Sequence, residues 1–381
     1  MTTQPRHVIQ IIPSLSAGGA EQACVDIAIA LKAAGHRATI ISSGGGLVRK
    51  VEEAGVEHIL RPVHSKNPLT IIANGIWLAG YARRHKADIL HVRSRAPAWS
   101  VFMAARMTGI FFISTFHAAY KFSSGIKKFY NSVMARADKI IAISDFIAQH
   151  IRETYGVEAS RICTIPRGID MDRFNPAQVM ARSRTDTRDA WRVSADDNVI
   201  LLPGRLSPIK GHTVFIEALA CMQRTDCVAV ILGDDQGRVA YRQELKDLIA
   251  AKGLTARVRM IDHTQDMPAA YALARLVVAP SLVPEGFGRV PVEAMAMGVP
   301  VIATKLGGYI ETIRDGDNGV LVPAGDAAAL ATAMDTLLST PAPDAAARQA
   351  LRDSVAQLYN KKTMVATTLG VYDAALPKRA L

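Results

Sequence analysis

Residues 280–300 read PSLVPEGFGRVPVEAMAMGVP, which places a loop between a short apolar strand and a helix of about two turns. Pro291 suits the first turn of this helix, because the backbone N–H that proline lacks would have no partner there. The glycine and the proline that close the stretch then end the helix. The pattern therefore predicts that Glu285 lies in the loop and that Glu293 lies about one turn inside the helix.

A second loop of related chemistry follows another apolar strand, in residues 202–211, LPGRLSPIKG. Gly204 and Gly211 bracket Arg205 and Lys210, which combine a planar fork of donors with a compact point charge. Glycines let a backbone approach an anion, a helix N-terminus offers it N–H groups, and carboxylates accept hydrogen bonds from hydroxyls. Together the two loops suit a diphosphate that is flanked by two hydroxyl-bearing rings.

Short apolar runs alternate with helical patterns along the chain, which indicates βαβ units and parallel sheets. The first group of predicted strands comprises 7–12, 38–42, 89–92, 110–114, 139–143 and 162–165, before a polar, turn-rich stretch at 166–188. The second group comprises 199–202, 228–232, 257–261, 276–279, 301–304 and 320–322. The predicted fold class is α/β, with one Rossmann-like domain over 1–170, a second over 171–360, and a C-terminal helix, about 361–381, packed on the first.

Ligands of open α/β sheets bind beyond the carboxyl ends of the strands. Two such sheets in tandem are therefore expected to face one another across a central cleft that holds an anionic ligand.

The composition is that of a globular protein, since 49% of the 381 residues are hydrophobic and 21% are charged. The four cysteines include no Cys-x-x-Cys pair, which argues against a zinc ribbon, a thioredoxin-type site and a disulfide scaffold. The N-terminus carries no pattern of a secretory signal, and no stretch is apolar and long enough to span a bilayer. We therefore expect a cytoplasmic protein.

The net charge of +11 at pH 7 is unevenly distributed. Residues 1–170 contain 21 basic and 11 acidic side chains, whereas residues 171–381 contain 24 and 23. A strongly basic half indicates an acidic partner: a nucleic acid, an anionic lipid surface or an anionic substrate.

These motifs together resemble the retaining glycosyltransferases of family 4, which have the GT-B fold. The resemblance is carried by Glu285 and Glu293, by the cations of 204–211, by a Gly-Gly turn after the first strand, and by the linker PRGIDMDRF at 166–174. It is specific because four motifs occur in the correct order, each at the end of a strand.

The resemblance implies catalytic roles for His117, Arg205, Lys210 and Glu285. Arg205 and Lys210 would hold the diphosphate of a nucleotide sugar, either UDP- or GDP-based, while Glu285 and His117 would lie beside the transferred sugar. Donor contacts are implied for a further set of residues, with Glu293 on the ribose: Gly18, Gly19, Gly204, Gly286, Phe287, Gly288, Val290 and Glu293. The resemblance implies neither a metal nor a cofactor.

The sequence departs from the family pattern at three places, and the last two, which lie near the expected sugar and base pockets, leave the identity of the donor open. Pro284 stands where an aromatic residue is frequent, Asp235 where glycine is usual, and Asp262 with its neighbouring histidine where a glycine and an apolar residue are frequent. The pair Asp170 and Asp172 imitates a metal-binding motif of the other major glycosyltransferase fold. Because it lies in the inter-domain turn, we expect no metal there.

The basic half suggests how an acceptor is recognised. Residues 121–136, KFSSGIKKFYNSVMAR, fit either an ordinary solvated helix or an interfacial helix that lies on anionic lipid. The candidate acceptor or membrane contacts are Arg93, Arg95, Lys121, Lys127 and Lys128. We expect an acidic, lipid-linked glycan acceptor such as a lipopolysaccharide core, and a protein peripheral on the inner face of the cytoplasmic membrane.

Other interpretations stay open at this point. His117 also fits a hydrogen-bonded core histidine, and Gly18 with Gly19 fits a plain strand-to-helix turn. A GT-B-like nucleotide-sugar epimerase would use the same donor loops without an acceptor. A nucleic-acid-binding protein would explain the basic half, but no base-reading module is recognisable, and we expect no nucleic acid partner.

Overall fold

The computed structural model describes residues 5–16, 18–120 and 122–375. The chain forms two compact units. The first contains the chain up to Gly168 and again from Lys362 onward, and the second contains Ile169–Lys361. The polypeptide thus enters the second unit once and leaves it once.

The first unit alternates strands with helices. Its strands are β1 (His7–Ile11), β2 (Arg37–Ser42), β3 (Glu57–Leu60), β4 (Ile89–Val92), β5 (Phe111–Phe116), β6 (Lys139–Ala142) and β7 (Ile162–Thr164). Its helices are α1 (Gly19–Ala33), α2 (Val48–Glu53), α3 (Pro68–Arg84), α4 (Arg95–Thr108), α5 (Gly125–Ser132) and α6 (Asp145–Tyr155). A 3₁₀ turn, Val133–Arg136, continues α5 toward β6.

The second unit repeats the alternation. Its helices are α7 (Ala181–Trp191), α8 (His212–Cys221), α9 (Val239–Ala251), α10 (Met267–Leu273), α11 (Arg289–Ala296), α12 (Tyr309–Thr312), α13 (Ala327–Ser339) and α14 (Ala345–Ala356), and α15 (Lys361–Ala374) follows them. Its strands are β8 (Asn198–Pro203), β9 (Cys227–Leu232), β10 (Val258–Ile261), β11 (Leu276–Ala279), β12 (Val301–Thr304) and β13 (Val320–Val322). None of the helices within the described ranges is long and apolar enough to cross a membrane.

Each unit is built on one sheet whose described strand pairs are all parallel. The seven-stranded sheet has the order β3-β2-β1-β4-β5-β6-β7, and the six-stranded sheet has the order β10-β9-β8-β11-β12-β13. The strand order reverses between β1 and β4 in one unit and between β8 and β11 in the other. Ligand crevices of parallel sheets open at such reversals, beyond the carboxyl ends of the strands.

Buried apolar side chains on one face of each sheet pack with neighbouring helices and form a separate core cluster in each unit. The last helix, α15, belongs to the core of the first unit through Met364, Val371 and Tyr372. The Tyr372 hydroxyl lies 2.6 Å from Nδ1 of the buried His91 on β4. This contact ties the C-terminal helix to the central part of the first sheet.

The chain enters and leaves the second unit at adjacent points. Ile169 and Asn360 form a parallel bridge, in which the Lys361 N–H donates to the Ile169 carbonyl at 2.8 Å. The Lys361 ammonium also forms an ion pair with Asp170. Asp170, the first carboxylate of the metal-like pair in the sequence, is therefore engaged with a cation of the same unit.

The α/β class is confirmed, and β11, β12 and β13 have the predicted bounds. β3 was not predicted, because its half-buried residues include a glutamate and a histidine and lack the pattern of a buried strand. The prediction of a turn-rich stretch as far as residue 188 is wrong, because α7 begins at Ala181. That helix is polar along most of its length and packs onto the second unit through the buried side chain of Trp191.

Candidate functional site

Two loops meet at the strand-order reversal of the second unit. β8 and β11 are hydrogen-bonded neighbours, so the loops that follow them, 204–211 and 280–288, leave the same edge of the sheet. A Cβ at Gly211 would overlap the Pro280 carbonyl, so glycine is required where these two backbones approach each other. The sheet topology thus unites two motifs that are far apart in the sequence.

Lys210 and Glu285 form an ion pair where these loops meet. Nζ donates to Oε1 at 2.7 Å, and both side chains are half-buried. The Ser281 hydroxyl donates to the same carboxylate oxygen at 2.9 Å and lies 3.2 Å from the Tyr309 hydroxyl. Burial and the charge of Glu285 raise the pKa of Tyr309 well above its ordinary value, so the phenol stays protonated. The sequence pattern predicted neither Ser281 nor Tyr309.

Glu293 lies in the middle of α11 and is only 8% exposed. The Tyr271 hydroxyl donates to Oε2 at 2.9 Å, and Arg289 Nη2 donates to Oε1 at 2.7 Å. Glu293 is therefore not simply an exposed carboxylate that the helix dipole favours near the N-terminus. Both of its oxygens are held by side chains of the protein.

The N-terminus of α11 offers backbone donors to an anion. Gly288 is the N-cap, with a φ of 96° that favours glycine, and no side chain caps the helix. The first N–H groups, those of Arg289 and Val290, have no partner within the helix. Phe287, for which the resemblance implies a donor contact, is buried with its ring edge-on to Tyr359 at 5.3 Å. Its backbone alone is therefore available to a ligand.

Gly307 and Gly308, which follow the end of β12 after two further residues, hold the Glu285 loop in place. The Gly308 N–H donates to the Glu285 carbonyl at 2.8 Å. A Cβ at Gly308 would lie 2.5 Å from the Phe287 carbonyl oxygen, so a side chain there would displace the loop. A glycine pair shortly after a buried strand is the sequence signal for these residues, which the motif spacing did not predict.

Arg205 and Lys210 have different partners although they share a loop. Arg205 is exposed, and its Nη1 donates to Gln236 Oε1 at 3.0 Å. Gln236 lies in the loop after β9, the strand next to β8. The structure therefore brings Lys210 to Glu285 in the 280–288 loop and places Arg205 toward the loop that follows β9. Gly204, the residue before Arg205, has a φ of 159° and continues the extended strand backbone.

The two acidic departures from the family pattern share one cation. Arg242 on α9 pairs with Asp235 at 2.7 Å and also with Asp262. These residues follow β9 and β10, which are neighbours in the sheet. The ion pairs explain why both positions are acidic in this chain.

In the first unit, His117 follows β5 and accepts a hydrogen bond at Nδ1 from Arg167 Nη2 at 3.2 Å. A guanidinium can only donate, so the neutral ring carries its proton on Nε2. Nε2 is buried and has no hydrogen-bond partner within the described ranges. Burial, with the charges of Arg167 and Arg93, holds the pKa of His117 well below its ordinary value. His117 is thus a neutral imidazole with one unsatisfied donor.

Gly18 and Gly19 begin α1 at the strand-order reversal of the first unit. Gly18 is the N-cap, with extended backbone, and Gly19 is the first helical residue. No side chain caps this helix. The pair therefore leaves the N-terminus of a 15-residue helix without a capping side chain.

The position of Arg93 corrects the prediction that it faces an acceptor or a membrane. Arg93 is 3% exposed, and its guanidinium donates to Gln10 Oε1 at 3.0 Å and to the Ala23 carbonyl at 3.3 Å. Arg95 is half-buried, stacks over the Tyr120 ring at 4.1 Å and donates to Asn131 Oδ1 at 3.1 Å. Arg93 is therefore a structural cation, and Arg95 is partly accessible.

The basic segment after His117 is largely exposed. Lys127 and Lys128 lie on the solvent side of α5, and Ile126 and Phe129 on the same short helix are 84% and 57% exposed. Lys121, the remaining predicted contact, lies outside the described residues. Tyr130 on the same helix is half-buried, and Phe129 contacts the Trp99 ring at 5.3 Å, so α5 exposes part of its apolar surface and packs the rest on the unit.

Two family models match this chain. The model of glycosyltransferase family 4 matches residues 17–173, and that of the glycosyl transferases group 1 matches residues 183–354. A D-inositol 3-phosphate glycosyltransferase of Salinispora tropica is 35% identical over 235 residues, 58% of this chain and 46% of that protein. The matched segment thus spans about half the length of such curated relatives.

Two solved structures resemble the whole chain. A glycosyltransferase from Rickettsia africae has a TM-score of 0.91 and 33% identity, covering 99% of this chain and 100% of that one. Anabaena Alr3699/HepE in complex with UDP-glucose has a TM-score of 0.83 and 25% identity, covering 96% and 99%. With both halves matched by family models and the full chain matched by a solved relative, the protein belongs to the family 4 glycosyltransferases of GT-B fold.

Proposed function

We propose that the protein transfers a hexose, with retention of anomeric configuration, from a nucleotide diphosphate sugar to an anionic, lipid-linked glycan acceptor. The observation that carries this proposal is the ion pair of Lys210 with Glu285 at the ends of β8 and β11, beside the helix that carries Glu293. One sheet edge thereby presents a cation for phosphate and two carboxylates for hydroxyls. UDP-glucose in the Anabaena relative supports a UDP-linked donor.

Lys210 and the N-terminus of α11 act on the leaving group. Transfer breaks the bond between the anomeric carbon and a phosphate oxygen and forms one from that carbon to the acceptor oxygen. Negative charge develops on the departing diphosphate, which takes up the proton of the acceptor hydroxyl. An ammonium group and backbone N–H groups that are already in place stabilise this charge without reorganisation. Arg205 adds a second cation from the neighbouring side of the loop. The reaction then needs neither a metal nor a cofactor.

The two carboxylates bind the two rings of the donor. Glu285 accepts hydrogen bonds from hydroxyls of the transferred sugar, in exchange for part of its contact with Lys210. Glu293 accepts from the ribose hydroxyls. His117 donates its Nε2–H to the transferred sugar, which suits a neutral ring whose second nitrogen is already occupied by Arg167.

The acceptor half of the proposal rests on charge. The first 170 residues hold nearly all of the net positive charge, and α5 exposes lysines together with apolar side chains. Such a helix suits the interface of an anionic membrane. The inositol phosphate in the names of the curated relatives is likewise an anionic acceptor. We assign the protein to the inner face of the cytoplasmic membrane, on an envelope glycan such as a lipopolysaccharide core.

Donor binding tests the proposal directly. We expect the purified protein to bind UDP-glucose or GDP-mannose in calorimetric titrations, and Lys210→Ala and Glu293→Ala to weaken that binding on the order of 10- to 100-fold. Each substitution removes a charge-assisted hydrogen bond worth about 1.5–3 kcal/mol.

Lys246→Ala and Glu244→Ala are the matched controls, because both side chains are exposed on α9 of the same unit. Unchanged donor binding in Lys210→Ala and Glu293→Ala would overturn the assignment of the donor site. Conversion of the donor to another sugar in the absence of any acceptor would instead identify an epimerase.

A further inference from the structure

The carboxylate of Glu293 is held from two sides by residues of different elements. Tyr271 on α10 donates to Oε2 at 2.9 Å, and Arg289, the first residue of α11, donates to Oε1 at 2.7 Å. Each carboxylate oxygen accepts about two hydrogen bonds. The protein donates one to each oxygen of Glu293, so each oxygen can accept one more from a ligand. Two acceptor positions a short distance apart match two hydroxyls on adjacent carbons of one ring.

Tyr271 is suited to hold a carboxylate permanently. Its side chain is fully buried, and burial together with the charge of Glu293 raises its pKa well above the ordinary value, so the hydroxyl is always a donor. Phe174 packs edge-on against the ring at 6.0 Å. A phenylalanine at position 271 would fill the same core space, so the hydroxyl itself serves the contact with Glu293.

Arg289 occupies a position that needs a compensating carboxylate. The dipole of a helix disfavours a cation in the first turn. The ion pair with Glu293, four residues further along α11, offsets this cost and fixes the carboxylate on its second side. Glu293 therefore stabilises the charge of Arg289, and Arg289 in turn orients the carboxylate of Glu293.

We propose that Tyr271 and Arg289 are positioning residues that orient the Glu293 carboxylate so that both of its oxygens accept from a vicinal pair of hydroxyls on the donor. The inference rests on the proposed function, in which Glu293 binds the ribose. It adds that recognition of the ribose depends on two residues that act through their hydrogen bonds to Glu293.

The test is a double-mutant cycle read out by UDP and GDP titration. We expect Tyr271→Phe to weaken binding of the nucleotide by about tenfold, which corresponds to about 1.4 kcal/mol. In a Glu293→Gln background the same Tyr271→Phe change should alter the affinity by less than about twofold, because it then has no carboxylate to orient. The affinity of Arg289→Met should fall similarly, and Arg289→Lys should recover part of the loss.

Two variants serve as matched controls. Tyr241→Phe removes a buried hydroxyl that has no partner within the described ranges, and Arg182→Met breaks an exposed ion pair with Asp186 at the same helical spacing. Both are expected to bind nucleotide as the wild type does. Thermal unfolding of every variant separates a loss of affinity from a loss of fold.

The outcomes distinguish the inference from the proposed function. If the wild type binds neither UDP nor GDP, the proposed function fails. If Glu293→Ala loses binding while Tyr271→Phe keeps it, the function stands and the positioning role is overturned. A tenfold effect of Tyr271→Phe that persists in the Glu293→Gln background would show a general structural effect and would also overturn the role.

Discussion

Burial of His212 makes the stability of the protein depend on pH. The ring is fully buried as the first residue of α8, and burial lowers its pKa from 6.5 to about 4. As the pH falls below 6.5, the unfolded chain binds a proton that the folded chain does not. The free energy of unfolding therefore decreases between pH 6.5 and about 4, by at most about 3 kcal/mol from this group.

We expect His212→Gln to flatten this pH dependence. Urea unfolding at steps from pH 7 to 4 should show that the variant loses up to about 3 kcal/mol less stability than the wild type over that interval. The control is His263→Gln, which removes an exposed histidine from the same unit and should keep the wild-type slope. Equal slopes in all three proteins would show that protonation of His212 is not linked to unfolding.

Motif spacing found the residues that share a loop or a helix, but not their partners from other elements. Lys210, Glu285 and Glu293 were predicted from two short stretches of sequence. Tyr271 reaches Glu293 from α10, and this neighbourhood exists only once the sheet order is known. Arg93 was misplaced for a related reason, since a charge after a strand was interpreted as surface and the structure buries it.

Among the elements, the turn at Gly307 and Gly308 fixes the position of the loop that carries Glu285. We expect Gly308→Ala to weaken nucleotide binding on the order of tenfold or more, since its Cβ would meet the Phe287 backbone at 2.5 Å and push Glu285 away from Lys210. Calorimetric titration with UDP and GDP measures the effect.

Gly80→Ala is the control for this substitution. Gly80 lies in α3, and a Cβ there meets nothing within 4 Å. It should leave nucleotide binding unchanged and stabilise the helix slightly. Wild-type affinity in Gly308→Ala would show that the loop tolerates the displacement and that its position is not set by this turn.

Strands and helices with a clear pattern of apolar residues were predicted more accurately than polar ones. β11 and β12 are buried along their full length, and both were predicted to the residue. β3 was not predicted because it is a half-buried strand at the edge of the sheet. α7 was not predicted because its sequence is mostly polar and the helix is stabilised by packing of the buried Trp191. The hydrophobic periodicity of a sequence indicates which residues are buried. An element with few buried residues therefore has too weak a periodicity to be predicted.

At the scale of the whole molecule, the uneven charge leads us to expect that the proposed association with anionic membranes belongs to the first unit. We expect vesicles that contain phosphatidylglycerol to bind the protein, and Lys127→Gln with Lys128→Gln to weaken this binding on the order of tenfold or more, at about 1 kcal/mol per lysine. Cosedimentation at rising salt concentration provides the measurement.

Lys32→Gln with Lys86→Gln removes the same charge from exposed positions elsewhere in the first unit and is the matched control. It should bind vesicles almost as the wild type does. Equal loss in both double variants would indicate that net charge alone matters, whereas binding to duplex DNA of comparable strength would contradict an acceptor side that is selective for lipid.

The adjacent crossings at Ile169 and Lys361 have a consequence for engineering. Since the chain enters and leaves the second unit through one bridged pair, residues 169–361 form a continuous cassette with neighbouring ends. A chimera would need only two junctions, side by side, to exchange the cassette with that of another family member. Under the proposed function, such an exchange would combine the donor choice of one protein with the acceptor choice of the other in a single polypeptide.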